Sequence, residues 1–255
     1  MTDLFAVDVQ RILWRQMTWM MAAFGVLIVA AAGVILFVHT GNHHLFATRS
    51  DLRAAVAAAV VPLAFAGYML GASALGADYT SRALTTLLTW EPRRRLVLAS
   101  RSCASALVTA GLTVVVLLAL IVALLPSAIL HGTGGAPNGA WYLSMAAMTL
   151  RCVLFTAAVS VVGVSAAAIG RSTTAAVIGI VLYLVLIENT AVQALPSFAR
   201  WLLVTDAISW IGQNSHTSAG APNGHTVITG GLLLVGGMAA LWAFATRALA
   251  RRDVT

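Results

Sequence analysis

The chain contains no lysine: all fifteen of its basic residues are arginine. A phosphate-gripping loop of the form G-x-x-x-x-G-K-[ST] needs its lysine at the phosphates, so this polypeptide cannot supply one, and any ATP chemistry must come from a partner. Charge of either sign is scarce, at 9% of 255 residues, while 60% are hydrophobic. That is far above the apolar share of a soluble domain and points to an integral membrane protein. Cysteine occurs twice, at Cys103 and Cys152, each in or beside an apolar run. Neither fits a disulfide or a metal site, and both read as small buried hydrophobes. Segments of about ten residues with alternating polarity do not recur, which argues against a transmembrane β-barrel. There is no H-E-x-x-H or serine–histidine–aspartate pattern for a hydrolase. No acid or histidine falls deep inside an apolar run, which disfavours proton relays and ion channels.

What is present is a succession of apolar runs. A bilayer core about 30 Å thick needs roughly 20 apolar residues per helix, and six spans are expected, over 17–38, 54–76, 103–125, 152–170, 173–187 and 226–246. The expected fold is therefore an all-α membrane protein forming one transmembrane domain over 1–255. Pro62 and neighbouring glycines in the second run suggest a kink or a close helix contact. Between 141 and 170 the apolar stretch exceeds one simple span and Arg151 interrupts it. The economical division is an interfacial helix anchored by Trp141 and Tyr142, then the fourth span, with Arg151 snorkelling at the membrane edge. Residues 188–225 carry an apolar middle suited to an outer re-entrant or interfacial helix.

The N-terminal "DLFAVDVQRILWRQ" places Phe5, Val9, Ile12 and Leu13 on one helical face and Asp8, Arg11 and Arg15 on the other, the pattern of an amphipathic interfacial helix. Asp3 and Asp8 argue against a cleavable signal peptide. With an even number of spans both termini share one side, and that side collects eleven arginines against Arg49, Arg53 and Arg200 on the other. Basic residues concentrate in cytoplasmic loops, so both termini and the segment 77–102 are expected in the cytoplasm of a plasma-membrane protein. Topology accounts for the basic net charge without nucleic-acid binding. All six histidines, including the "HTGNHH" cluster, then fall outside, with no carboxylate or cysteine completing a metal site. Glu188, at the outer end of the fifth span, is either an outer gate residue or a charge resting at headgroup level.

Segment 77–102 is unusual. Leu84, Leu87 and Leu88 recur at i, i+3 and i+4, so a short cytoplasmic helix there has an apolar stripe that asks for a protein groove or a membrane surface. Asp78, Leu84, Leu87, Leu88, Pro92 and the arginines 93–95 stand in an order that resembles the cytoplasmic segment between the second and third helices of ABC-2 type permeases, the membrane subunits of bacterial ATP-binding-cassette exporters. Arg82 and Ala83 stand where that family usually has glycine and threonine, and Arg101 where it has lysine. The resemblance covers the chain in outline, including the amphipathic start, the outer segment before the last span and the closing "RRDV". It implies that 77–102 is a coupling segment docking in a cleft of a separate ATPase, with ATP and Mg held by that partner and none here. It further implies two ATPase copies and a second permease subunit, identical or similar. The leucines would supply an apolar grip, while Asp78, Arg82, Glu91 and Arg93 would pair with charges at its rim. The helix bearing Phe5, Val9, Arg11, Ile12 and Arg15 would flank the same contact. An apolar pathway suits a lipid, a peptide or a hydrophobic drug. Readings from other classes are a membrane scaffold or regulatory subunit that binds a cytoplasmic protein, and a secondary transporter.

Overall fold

The structure, a computed structural model, describes residues 2–39, 49–81, 83, 93–130, 139–188, 190, 194, 202, 207, 210, 211 and 227–251, and side chains over a narrower set. Every element among the described residues is helical. In chain order they are α1 (Thr2–Leu13), α2 (Gln16–His39), α3 (Arg49–Thr80), α4 (Arg94–Leu130), α5 (Gly139–Gly170), α6 (Thr173–Leu182), whose end continues as a π-helical turn (Tyr183–Glu188), and α7 (Val227–Arg251).

Four helices are long and apolar enough to cross a membrane, within α3, α4, α5 and α7. A fifth is available if α1 and α2, bent by 57° between Leu13 and Gln16, count as one broken span. The apolar stretch Thr173–Glu188 is shorter. At 1.5 Å per residue it spans roughly 24 Å, less than a bilayer core. Large apolar side chains such as Val26, Val61, Val115, Leu118, Leu154, Leu232 and Val235 lie exposed on the outside of these helices. An apolar exterior around an apolar core is the arrangement of helices that face lipid, and the chain is accordingly a multi-pass helical membrane protein.

The expected boundaries shift in two places. The stretch divided above into an interfacial helix and a fourth span is one unbroken helix, α5, because nothing in "WYLSMAAMTLRCVL" breaks i→i−4 hydrogen bonding and the Arg151 side chain finds a place at the side of the helix. The second span runs on to Thr80, and α4 begins at Arg94, so both ends of the expected coupling segment belong to long membrane helices.

Helix α5 occupies the centre, packing on α3, α4, α6 and α7, and its closest partner is α3. Two glycines permit this approach. A Cβ on Gly71 would strike the Ser160 carbonyl, and one on Gly163 would strike the backbone of Tyr68. Where lipid is as apolar as leucine, such close backbone packing is what holds helices together. Hydrogen bonds add to it: the Tyr68 hydroxyl donates to the Ala176 carbonyl at 2.8 Å, tying α3 to α6, and the Thr156 hydroxyl donates to Thr113 Oγ1 at 3.0 Å, tying α5 to α4. Between α5 and α6 the chain turns at Arg171, whose φ of 56° is left-handed, and Ser172 caps α6 by accepting from the Ala175 amide at 3.0 Å.

Candidate functional site: a buried arginine–aspartate junction

Helix α1 lies across α4, and its Ile12 is buried with Phe5 and Val9 half-buried against the core. Of the apolar face anticipated from the sequence, Phe5, Val9 and Ile12 are therefore packed on protein, whereas Leu13 is 46% exposed. Its polar face is packed in part: Asp8 is turned inward, while the Arg11 side chain is 42% exposed. Asp8 is only 6% exposed, and its Oδ2 accepts from the Ser100 hydroxyl at 2.6 Å. Its Oδ1 lies 3.0 Å from Arg101 Nε, although the N–H is not aimed at that oxygen, so the contact is an ion pair without a hydrogen bond.

Asp78 is the hub. It is 1% exposed, in the last turns of α3, and three guanidiniums converge on its carboxylate. Arg11 Nη2 and Arg15 Nη2 both donate to Oδ1 at 2.9 Å, and Arg101 Nη1 donates to Oδ2. Arg101, 2% exposed, also donates from Nη1 to the Ala74 carbonyl at 2.6 Å, while Arg15 donates to the Ser73 carbonyl. The five side chains Asp8, Arg11, Arg15, Asp78 and Arg101 join α1, the bend before α2, the end of α3 and the start of α4. Three cations against two anions leave the junction with one net positive charge.

Burial makes this arrangement costly unless every charge is met, and here Asp78 faces three guanidiniums and Arg101 two carboxylates, although among the described residues Arg101 Nε itself makes no hydrogen bond. For Arg15 burial is the largest influence and lowers its pKa from the ordinary arginine value, with Asp78 opposing that and the like charges of Arg11 and Arg101 adding to it. An arginine guanidinium stays protonated at any physiological pH. The junction includes no nucleophile among its five side chains. Its chemistry is mechanical, holding three helices at fixed mutual positions.

Around the junction, Arg93 is exposed and its carbonyl accepts from the Leu96 and Val97 amides, starting α4. Arg94 Nη1 donates to the Leu249 carbonyl at 3.1 Å, drawing the end of α7 to the same place. Arg82, Leu84, Leu87, Leu88, Glu91 and Pro92 lie outside the described residues. Asp78 does not stand at a rim awaiting a partner's charge, because its carboxylate is turned inward onto its own chain's arginines. The sequence places Arg101 among the cytoplasmic arginines, where the resembled family has lysine, and Asp8 on the polar face of an amphipathic helix, without indicating that the two meet. The available signal was the scarcity of acids, eight in the chain, five of which, Asp8 and Asp78 among them, fall on the arginine-rich side.

No protein-family model matches this chain, and no curated protein does.

Elsewhere, Glu188 is 6% exposed, in the π-helical turn. Such turns occur frequently at functional sites. Arg151 is half-buried with its guanidinium 5.8 Å from the centre of the Trp210 ring, and the Trp210 indole donates to the Arg151 carbonyl at 3.4 Å. Among the described residues no three histidines, cysteines or carboxylates gather as metal ligands. Five of the six histidines lie outside those residues.

Proposed function

We propose that this chain is the transmembrane permease subunit of an ATP-binding-cassette exporter, moving a substrate across the plasma membrane with energy from two copies of a separate cytoplasmic ATPase. A second permease subunit, identical or similar, completes the pathway. The observation that supports this reading most directly is the ion-paired junction at the two roots of residues 81–93. A segment gripped by an ATPase can move membrane helices only if its roots are stiff, and Asp78 at the end of α3 is tied directly to Arg101 at the start of α4. The same carboxylate holds Arg11 and Arg15, so a displacement of the segment would carry α1 and α2 with it. ATP-driven closure of the ATPases would then reorient the helices as rigid bodies.

The test is recovery of the tagged full-length chain from its native membranes in mild detergent, with bound proteins identified by mass spectrometry. A soluble ATP-binding-cassette ATPase should accompany the chain and be lost from the Leu87→Asp/Leu88→Asp variant. An ATPase that never appears, under conditions that keep other membrane complexes whole, would move the scaffold and secondary-transporter readings ahead.

A further inference from the structure

Helices α4, α5 and α7 enclose an apolar groove of about 490 Å³, open at one side, whose walls include Ala99, Ala106, Ala158, Val161, Met238 and Trp242. Alanines make it concave. Trp242 closes one wall, held there by its indole N–H donating to Ser102 Oγ at 3.2 Å. Among the described residues, no carboxylate or cation lines the groove itself. At its end nearest the start of α4, Arg95 is exposed and lies one helical turn before Ala99 and two before Ser102, on the same face of the helix. Arg94 beside it joins the end of α7 to the start of α4, so positive charge stands at the mouth of an apolar slot.

We propose that this groove is a binding site for one anionic phospholipid of the surrounding membrane, with an acyl chain along Ala99, Ala106 and Trp242 and the phosphate at Arg95. The order of groups favours this occupant over a second copy of the chain. A phospholipid presents charge at the interface and hydrocarbon below it, in the order that α4 presents arginine and then alanine. A helix of a second copy would place an apolar stripe against both ends, and one end here is cationic. The site stands independently of the ATPase reading.

Trp242 provides the readout. The full chain would be reconstituted in phosphatidylcholine vesicles with small added fractions of either phosphatidylglycerol or phosphatidylcholine, each carrying bromine on its acyl chains to quench tryptophan on contact. A Trp242→Phe variant would supply the contribution of the six other tryptophans. Quenching of Trp242 is expected to saturate at a severalfold lower mole fraction of the brominated phosphatidylglycerol than of the phosphatidylcholine. Arg95→Gln, at an exposed position, should raise the half-saturating fraction by roughly fivefold, the worth of one arginine near a lipid surface. Ala106→Phe, which fills the groove, should abolish the preference. Equal quenching by the two lipids would overturn the proposal in favour of bulk lipid. No quenching by either, with Cys103 on the groove wall shielded from a membrane-permeant maleimide only at high protein-to-lipid ratio, would overturn it in favour of a second copy of the chain.

Discussion

At the scale of single residues, the three arginines on Asp78 are not equivalent. Arg101 is fully enclosed, whereas the Arg11 side chain is 42% exposed and its pair is screened by water. Removing the shared acceptor strands buried positive charge, so Asp78→Asn should cost about 3–5 kcal/mol, the usual effect of breaking a buried pair from one side. Arg11→Gln should cost at most about 1 kcal/mol. The ranking would be read from thermal midpoints of the purified chain in detergent, and equal small losses for both variants would mean that Asp78 is not a hub. Thr109 is a contrasting case. It is completely buried, and among the described residues its Oγ1 has no hydrogen-bond partner. Replacing an unsatisfied hydroxyl by a methyl removes a desolvation cost without losing a bond, so Thr109→Val should be neutral or stabilising by about 1 kcal/mol. Thr156→Val should instead lose stability, by about 0.5–1 kcal/mol, because its hydroxyl bonds Thr113 across two helices.

At the scale of elements, the α3–α5 contact carries the core, and two glycines set its spacing. A methyl at Gly71 or Gly163 would meet backbone, which cannot rotate away as a flexible side chain could. Gly71→Ala and Gly163→Ala should each destabilise by about 1–3 kcal/mol or push the helices apart. Gly111 in α4 is the internal control, since nothing lies within 4 Å of a Cβ built there. Gly111→Ala should gain up to about 1 kcal/mol from helix propensity alone. Resistance to unfolding as denaturing detergent is added to mild detergent would separate the two classes, and a uniform response at all three positions would show that close packing is not what holds α3 to α5.

For the whole molecule, the number of crossings decides where the ends lie. Six crossings require the broken α1–α2 pair and the short α6 with its π-helical turn to traverse the bilayer along with the four long helices. The prediction is that both termini share a side and that Arg171 and Thr190, on either end of α6, are on opposite sides. In a Cys103→Ser background, Arg171→Cys should be labelled by an impermeant maleimide only after the membrane is opened from the cytoplasmic face, and Thr190→Cys from outside. Labelling of both from one side would make α6 re-entrant and place the termini on opposite faces.

The sequence by itself determined the helical membrane class, the neighbourhoods of the apolar helices and the apolar face of α1, because hydrophobic length and a period of 3.6 residues are local properties of the chain. Periodicity identifies a face without identifying what covers it. That Asp8 turns inward to Ser100 and Arg101, and that Asp78 gathers Arg11 and Arg15 from 67 and 63 residues away, depended on how α1 is laid across α4 with its arginines reaching the end of α3. Continuity of α5 through Arg151, and of α3 to Thr80, was likewise settled by packing, since a helix in lipid keeps its hydrogen bonds wherever neighbouring helices can take up the side chains that interrupt an apolar run. Segments were legible because each is written in its own residues; the junction that ties them was decided in three dimensions, where charges distant along the chain find one another at the helix ends.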